Sequence, residues 1–156
     1  MGKATLEQVV AFGCDHAALQ LKAELKAVVA ELGYGIEDVG THSEESCDYP
    51  DFAHAVASGV AGGRYRFGVL ICGTGLGMAY AANRHKGVRA AVCTDAFMAR
   101  MSRQHNDANV LCLGARVLGG GSAEDILRAF FAADFDGGRH ERRVAKIDDP
   151  QAGEGA

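Results

Sequence analysis

The sequence contains little proline and no long hydrophobic run. Only 2 of its 156 residues are proline while 48% are hydrophobic, a composition typical of a globular chain rather than a disordered one. No apolar segment reaches the length that a membrane-spanning helix requires. Residues 1–8 lack the apolar core of a secretory signal peptide, so we expect a cytoplasmic protein. The length fits one domain with a sizeable core.

An excess of positive charge and a pattern of paired cysteines are also missing. The net charge of −4 argues against nucleic acid or an anionic membrane as the main partner. The number of cysteines is odd and no Cys-x-x-Cys occurs, so neither a disulfide framework nor a zinc site is expected. No His, Cys and Asp group has metal-ligand spacing. Cys93 and Cys112 lie in apolar segments and are interpreted as core residues. The five cysteines are Cys14, Cys47, Cys72, Cys93 and Cys112.

Short apolar segments alternate with helical segments along the chain. This alternation predicts a five-stranded parallel sheet covered by helices on both faces, a three-layer α/β/α sandwich. We expect a single domain, residues 1–156, with a core at about 9–133, a basic arm at 134–149 and a flexible tail at 150–156. Strands are predicted at 9–13, 35–39, 67–72, 88–93 and 110–113. Helices are predicted at 19–32, around 52–60, and at 78–83, 95–104 and 122–131.

Helix faces and caps are also predicted from spacing. Leu21, Leu25, Val28 and Leu32 share one face of the first helix and are expected to be buried. Phe97 and Met101 are expected to face inward from the helix at 95–104. Residues 122–125, Ser-Ala-Glu-Asp, resemble a capping box that opens the last of these helices.

Residues 69–77, Val-Leu-Ile-Cys-Gly-Thr-Gly-Leu-Gly, carry the most chemical information. Three glycines let a ligand approach the backbone closely and leave amide N–H groups free to hold an anion. The start of a helix there adds partial positive charge, which favours the thiolate form of Cys72. Two plainer interpretations remain open: Cys72 is a buried strand cysteine, and Thr74 is a helix cap.

Polar residues follow three other predicted strands. Asp15 and His16 follow the first strand, where they are either site residues or simply the start of a helix. Thr94 and Asp95 follow the fourth strand and Arg116 follows the fifth, while Cys72 and Thr74 lie at the end of the third. Because ligands bind beyond the C-terminal ends of parallel strands, we expect one site at this edge. Residues 13–17 lack the later glycines of a dinucleotide fingerprint, which argues against a nicotinamide or flavin cofactor.

Two further segments have open interpretations. Residues 102–107, Ser-Arg-Gln-His-Asn-Asp, end a helix at the opposite edge of the sheet, so His105 is either a solvated residue or comes to the site from a second subunit. In the basic tail, Arg139 and Arg143 are four apart on one helix face, where two guanidinium groups can clamp a phosphate. The alternative is a solvated basic helix. The remaining histidines, His42, His54 and His85, are interpreted as surface residues.

These motifs together resemble the type B ribose-5-phosphate isomerase family, which also contains galactose-6-phosphate and allose-6-phosphate isomerases. The matching segments run in order over about residues 9–147. They are Phe12-Gly13-Cys14-Asp15-His16, Asp48-Tyr49-Pro50, Ile71-Cys72-Gly73-Thr74-Gly75-Leu76-Gly77, Ala81-Ala82-Asn83, residues 102–107 and Gly138-Arg139-His140.

The resemblance implies a Rossmann-like sandwich and a homodimer, or a tetramer, whose sites are each built from two subunits. It implies interconversion of an aldose phosphate and a ketose phosphate without metal or cofactor, in the pentose phosphate pathway of carbohydrate metabolism. In such a reaction a base removes a carbon-bound proton while donors stabilise the developing oxyanion. Phosphate contacts orient the substrate from a distance.

Catalytic roles are carried over from the family to matching positions. Cys72 would be the base that moves the carbon-bound proton, because family members that lack this cysteine use a glutamate where this chain has Met78. Asp15 and His105 are candidates for opening the sugar ring, with His105 supplied by the partner subunit. Thr74 would assist proton movement between the sugar oxygens.

Binding roles follow in the same way. The amides around Gly73, Gly75 and Gly77 would hold the enediolate oxygen. Tyr49 and Asn106 would contact the sugar. The residues that would bind phosphate are His16, Arg116, Arg139 and Arg143.

Three alternatives to a ribose 5-phosphate isomerase remain at this point. The same chemistry could act on a hexose 6-phosphate or a tetrulose phosphate, since the loop at 42–47 could set sugar length. A non-catalytic phosphosugar-binding protein would keep the arginines and glycines but would not need Cys72. A flavodoxin-like nucleotide binder would need ribose- or ring-contact motifs, and none is found.

Overall fold

The computed structural model describes residues 8–152. Within this range five strands alternate with five helices, and a sixth helix follows. The strands are β1 (Val9–Cys14), β2 (Gly35–Gly40), β3 (Phe67–Cys72), β4 (Ala90–Val92) and β5 (Val110–Gly114). The helices are α1 (Leu19–Glu31), α2 (Tyr49–Ala61), α3 (Leu76–Ala82), α4 (Ala96–Asn106), α5 (Gly120–Phe131) and α6 (Arg139–Asp148).

The five strands form one parallel sheet in the order β2-β1-β3-β5-β4. Parallel neighbours need crossover connections, and the helices supply them. Helices α1, α4 and α5 pack on one face of the sheet, while α2 and α3 pack on the other. The predicted α/β fold, a Rossmann-like three-layer sandwich around a parallel sheet, is therefore confirmed.

The core has two layers because side chains along a strand alternate between the faces of a sheet. In the central strand β3, Val69 and Ile71 face the layer of α1 and α5, whereas Leu70 and Cys72 face the layer of α2 and α3. Every residue of β3 is buried, as expected for a strand that is covered on both sides. Cys72 is thus the last residue of a fixed central strand.

The predicted packing of the fourth helix is wrong. Phe97 is 62% exposed and Met101 is only half-buried, while α4 buries Ala99, Ser102 and Arg103. The Arg103 guanidinium carbon lies 4.9 Å from the ring centroid of Phe67, and its Nη1 donates to Ala108 O at 2.7 Å. An arginine can enter this interior because the carboxylate of Asp107, 2.9 Å from Nη1, pairs with its charge, and the aromatic rings and the carbonyl add to this.

Several element boundaries also differ from the prediction. Helix α5 begins at Gly120 with Gly119 as its N-cap and no side-chain cap, so the predicted capping box at Ser122 is wrong. Leu32 lies beyond the end of α1 and is 39% exposed rather than buried. Strand β4 is shorter than predicted because it is an edge strand that pairs with β5 over only three residues.

A buried lysine joins α1 to β2. Lys22 is 4% exposed, and its Nζ donates to Asp38 Oδ1 and to the carbonyl of Thr41, both at 2.7 Å. Lys26 donates to the other oxygen of Asp38 at 2.8 Å. The two ammonium groups and the amide of Gly40 hold the pKa of Asp38 below its ordinary value, against the opposing effect of burial. This ion pair fixes the start of the loop between β2 and α2.

Of the helices within residues 8–152, none is both long enough and apolar enough to cross a bilayer.

Candidate active site

Cys72 places its thiol beside the turn that opens α3. The side chain is 5% exposed, and its Sγ accepts a hydrogen bond from the backbone N–H of Gly75 at 3.1 Å. Donation from an N–H group stabilises negative charge on a sulfur. Helix α3 begins at the next residue, Leu76, so the N-terminus of this helix lies at the same end of the strand. The sulfur of Cys72 is thus held at the end of a central strand by a backbone donor.

The glycines of this turn allow close packing against β5. Gly75 has φ 81°, and a Cβ there would meet the backbone of Leu113 at 3.0–3.2 Å. A Cβ on Gly114 would lie 2.8 Å from the backbone of Thr74. A Cβ on Gly77 would overlap the ring of Tyr49, so this ring packs directly on the first turn of α3. These close contacts restrict the backbone conformation of the turn and thereby the orientation of its amide N–H groups.

Asp15 and His16 lie next to Cys72, beyond the end of β1. The backbone N–H of Asp15 donates to Ile71 O at 3.2 Å, and its Oδ1 accepts from Ala17 N at 3.0 Å. Since α1 begins only at Leu19 with Ala18 as N-cap, the carboxylate of Asp15 caps a turn and not the helix. His16 is half-buried, and its Nδ1 accepts from the backbone N–H of Cys47 at 3.3 Å.

Arg116 and Thr74 complete this edge of the site. The backbone N–H of Arg116 donates to Gly73 O at 3.0 Å, and the Arg116 side chain passes within 3.5 Å of the place where a Gly73 Cβ would stand. Arg116 is exposed and forms no salt bridge within the described chain. Thr74 is exposed, and its Oγ1 accepts from Leu76 N at 3.3 Å. We call this group the cysteine half-site: Asp15, His16, Tyr49, Cys72, Gly73, Thr74, Gly75, Gly77 and Arg116.

Four predicted residues lie at the other edge of the sheet. Helix α4 ends at Asn106, and the carbonyl of nearby Asn109 accepts from Gly68 N, at the start of β3. The ring of His105 stacks on His140 of α6, with centroids 4.3 Å apart and planes 8° apart. Asn106 lines a cavity of about 650 Å³ beside β4 and the end of α6. We call this group the histidine half-site: His105, Asn106, Arg139 and Arg143.

The two half-sites are separated by the length of the sheet. The six residues of β3 span roughly 20 Å at about 3.3 Å per residue. No hydrogen bond, salt bridge or ring contact in the described range joins His105 to Cys72. The predicted position of residues 102–107 at the opposite edge is confirmed.

Folding also assembles a polar cluster that sequence spacing does not reveal. His105, Asp136 and His140 have potential ligand atoms within 4.8 Å of one another. The two imidazole planes are nearly parallel, however, so their in-plane lone pairs do not converge on one point. The cluster is better suited to holding the His105 ring in place than to binding a metal ion. Sequence spacing misses Asp136 and His140 because β5 and α5 lie between them and His105 in the chain.

The pKa values of three other buried thiols are shifted by their surroundings. Burial raises the pKa of Cys14 and of Cys93 to about 11, and it raises the pKa of Cys112 as well. The core interpretation of Cys93 and Cys112 is confirmed, since both are buried and neither forms a disulfide. A neutral thiol in these positions is a poor base.

The three histidines interpreted as surface residues lie outside both half-sites. His42 and His54 are exposed, and His85 is half-buried. A ring nitrogen of His54 lies 2.8 Å from one of His85, so these two share a hydrogen bond.

The chain is similar to known proteins over most of its length. The chain matches the model of the Ribose/Galactose Isomerase family over residues 10–147. It is 49% identical over 138 residues to Ribose-5-phosphate isomerase B of Escherichia coli (strain K12), covering 88% of this chain and 93% of the relative. It is 38% identical over 139 residues to D-erythrulose-4-phosphate isomerase of Pectobacterium atrosepticum, covering 88% and 91%. The solved structure of Clostridium thermocellum Ribose-5-Phosphate Isomerase B is similar with TM-score 0.89 and 50% identity, covering 92% of this chain and 97% of that one.

The fold defines an α/β protein in which Cys72 lies at the C-terminal end of a parallel strand, where ligands of such sheets bind. The chain belongs to the Ribose/Galactose Isomerase family. It is an enzyme of the sugar-phosphate isomerase class, an intramolecular oxidoreductase of carbohydrate metabolism, as the resemblance in its motifs implies.

Proposed function

We propose that this chain interconverts ribose 5-phosphate and ribulose 5-phosphate, with Cys72 as the base. The observation that carries the proposal is the hydrogen bond from Gly75 N–H to Cys72 Sγ at the strand end where α3 begins. The substrate is supported by the E. coli and C. thermocellum relatives, both of which bear the name ribose-5-phosphate isomerase B.

The proposed step moves one proton between two neighbouring carbons. The Cys72 thiolate removes the proton from C2 of the open-chain aldose, the C–H electron pair forms the C1–C2 double bond, and the carbonyl pair moves to the C1 oxygen. The amides of Gly73, Gly75 and Gly77 stabilise this enediolate. A proton then moves from the C2 oxygen to the C1 oxygen with help from Thr74. The return of the proton from sulfur to C1 gives the ketose.

The remaining residues bind and prepare the sugar. Asp15 and His105 are the proposed ring-opening groups, because each can exchange a proton with a ring oxygen or hydroxyl. Tyr49 and Asn106 contact the sugar. The reaction as written uses no metal ion or cofactor. The phosphate is bound by His16, Arg116, Arg139 and Arg143.

The separation of the half-sites leads to a proposal about assembly. Since His105 is about one strand length from Cys72 within a chain, each complete site would join the cysteine half-site of one chain to the histidine half-site of another. A homodimer supplies two such sites, and a tetramer can be built from two dimers. We further propose that the enzyme acts in the cytoplasm, where sugar phosphates are expected.

A second candidate substrate is a shorter or longer sugar phosphate. The relative named D-erythrulose-4-phosphate isomerase is 38% identical to this chain. The loop at 42–47, in which only Cys47 is not exposed, borders the cysteine half-site and could set sugar length. Allose and galactose 6-phosphates are the hexose alternatives, and a non-catalytic phosphosugar-binding role is the alternative without chemistry.

The experiment is an assay with ribose 5-phosphate and no added metal, following ribulose 5-phosphate. Rapid conversion that disappears in Cys72→Ala and persists in Cys93→Ala is the expected result. Cys93 is the matched control because it is equally buried but lies in the other core layer. Full activity in Cys72→Ala would refute the proposal that Cys72 is the base. Conversion of only a tetrulose or hexose phosphate would mean that this sugar, and not ribose 5-phosphate, is the substrate. Inactivity toward all of these sugar phosphates would favour the non-catalytic binding role.

A further inference from the structure

We propose that the backbone amide of Cys47 fixes His16 with an unprotonated Nδ1 and its proton on Nε2, so that His16 meets the phosphate as a hydrogen-bond donor through Nε2. The inference rests on the proposed function for the identity of the anion, and it adds a positioning residue, Cys47, to the site. Its basis is the 3.3 Å hydrogen bond from Cys47 N to His16 Nδ1.

The direction of this hydrogen bond is not ambiguous. A backbone N–H can only donate, so the Nδ1 of His16 must offer its lone pair and carry no proton. In the neutral imidazole the single proton is then on Nε2. The alternative tautomer would place the Nδ1 hydrogen against the amide hydrogen. The Cys47 Sγ is 3.9 Å from the same nitrogen and adds only a weak contact.

The amide of Cys47 is held in place from both sides. On one side Thr41 is fixed, because its N–H donates to Cys14 O at 2.8 Å and its carbonyl accepts from Lys22 Nζ at 2.7 Å. On the other side Asp48 is the N-cap of α2. Within the loop, Ser43 Oγ accepts from Glu45 N at 3.1 Å. The loop between β2 and α2 therefore presents the Cys47 amide at a fixed place.

The consequence concerns how the phosphate is recognised. An Nε2–H donor adds a directed hydrogen bond to the charge supplied by Arg116 and by the arginines of the histidine half-site. The side chain of residue 47 is dispensable for this role, whereas its main-chain N–H is not.

The test compares Cys47→Pro, which deletes the amide hydrogen, with Cys47→Ala, which keeps it and deletes the thiol. Long-range ¹H–¹⁵N NMR at pH 8 shows which ring nitrogen of His16 carries the proton. We expect one Nε2–H form with an acceptor Nδ1 in the wild type and in Cys47→Ala, and both tautomers in Cys47→Pro. An Nδ1–H form in the wild type, or an unchanged spectrum in Cys47→Pro, would overturn the inference.

A second pair of variants serves if Cys47→Pro does not fold. His16→Gln offers a donor near the Nε2 position, whereas His16→Asn reaches only the Nδ1 position. Titration with inorganic phosphate should show His16→Gln within about threefold of the wild type and His16→Asn weaker by about tenfold or more. Equal weakening would refute the donor role. The expected tautomer and phosphate affinities in a chain that does not turn over ribose 5-phosphate would refute only the proposed substrate.

Discussion

The backbone nitrogen of Gly75 lies 3.1 Å from the Sγ of Cys72, so the residue that precedes α3 donates a hydrogen bond to the residue that ends β3. This contact exists because Gly75 adopts φ 81° and packs on the backbone of Leu113, an arrangement that a side chain would obstruct. The position of one amide thus connects a backbone requirement to the chemistry of the thiol.

Gly75→Ala should therefore damage catalysis as well as stability. The left-handed φ costs an L-residue about 1–2 kcal/mol, and the shift of the amide should lower kcat by about 100-fold. Gly33→Ala is the matched control, since Gly33 has φ 88° with no atom near its Cβ position. Its unfolding free energy should fall by a similar amount while kcat stays unchanged. Equal kcat in the two variants would contradict the role of the Gly75 amide.

Arg143→Ala should weaken substrate binding. A charge-assisted hydrogen bond contributes about 1.5–3 kcal/mol, so KM should rise by about 10- to 100-fold with a smaller change in kcat. Arg142→Ala is the control, because Arg142 is exposed on the same helix but was not assigned to the site. Steady-state kinetics separate the two. A comparable rise of KM in both would mean that α6 supplies general positive charge and no clamp.

Lys22→Met should strongly destabilise the fold. The substitution leaves the Asp38 carboxylate and the Thr41 carbonyl without their buried cation, so the free energy of unfolding should fall by about 3–5 kcal/mol. Lys26→Met removes a 32% exposed cation from the same carboxylate and should cost less than about 1 kcal/mol. Urea unfolding measures both. Equal losses would show that the burial of Lys22 is unimportant.

The stability of the chain should depend on His140 as the pH falls below 7. Burial lowers the pKa of His140, and the charges of His105, Arg139 and Arg143 act in the same direction against Asp136. Because the folded pKa lies below the unfolded value of about 6.5, the unfolded chain binds more protons in this range and is favoured. Unfolding free energies at pH 7.5 and 5.5 should therefore differ more in the wild type than in His140→Gln. An equal change in unfolding free energy between the two pH values in both proteins would contradict the role of His140.

The order of strands and helices along the chain was predictable, because short apolar segments separated by turn glycines depend mainly on local sequence. The run at 67–72 is apolar on both faces, which only a doubly covered strand explains. The position of β5 between β3 and β4 was not predictable, because strand order depends on long-range pairing. The capping prediction at Ser122 failed because Gly119 already starts the helix one turn earlier.

The buried face of α4 and the burial of Lys22 were not predictable either, because both depend on long-range contacts. A pattern assigns Phe97 inward and charged residues outward, whereas Arg103 is buried by stacking on aromatic rings and Lys22 by pairing with Asp38. The residues of both half-sites were predictable from motifs, and their roles stay predictions. The stack of His105 on His140 required the folded chain.

The central claim is that a working site joins half-sites from two chains. Mixing Cys72→Ala with His105→Ala protein tests it most directly. Random exchange makes half of the dimers mixed, and each mixed dimer has one intact site of two, so about one quarter of the wild-type activity should return. Recovery of that size, with each variant inactive alone, is the predicted result. No recovery after subunit exchange has been verified by mass spectrometry would contradict the shared site.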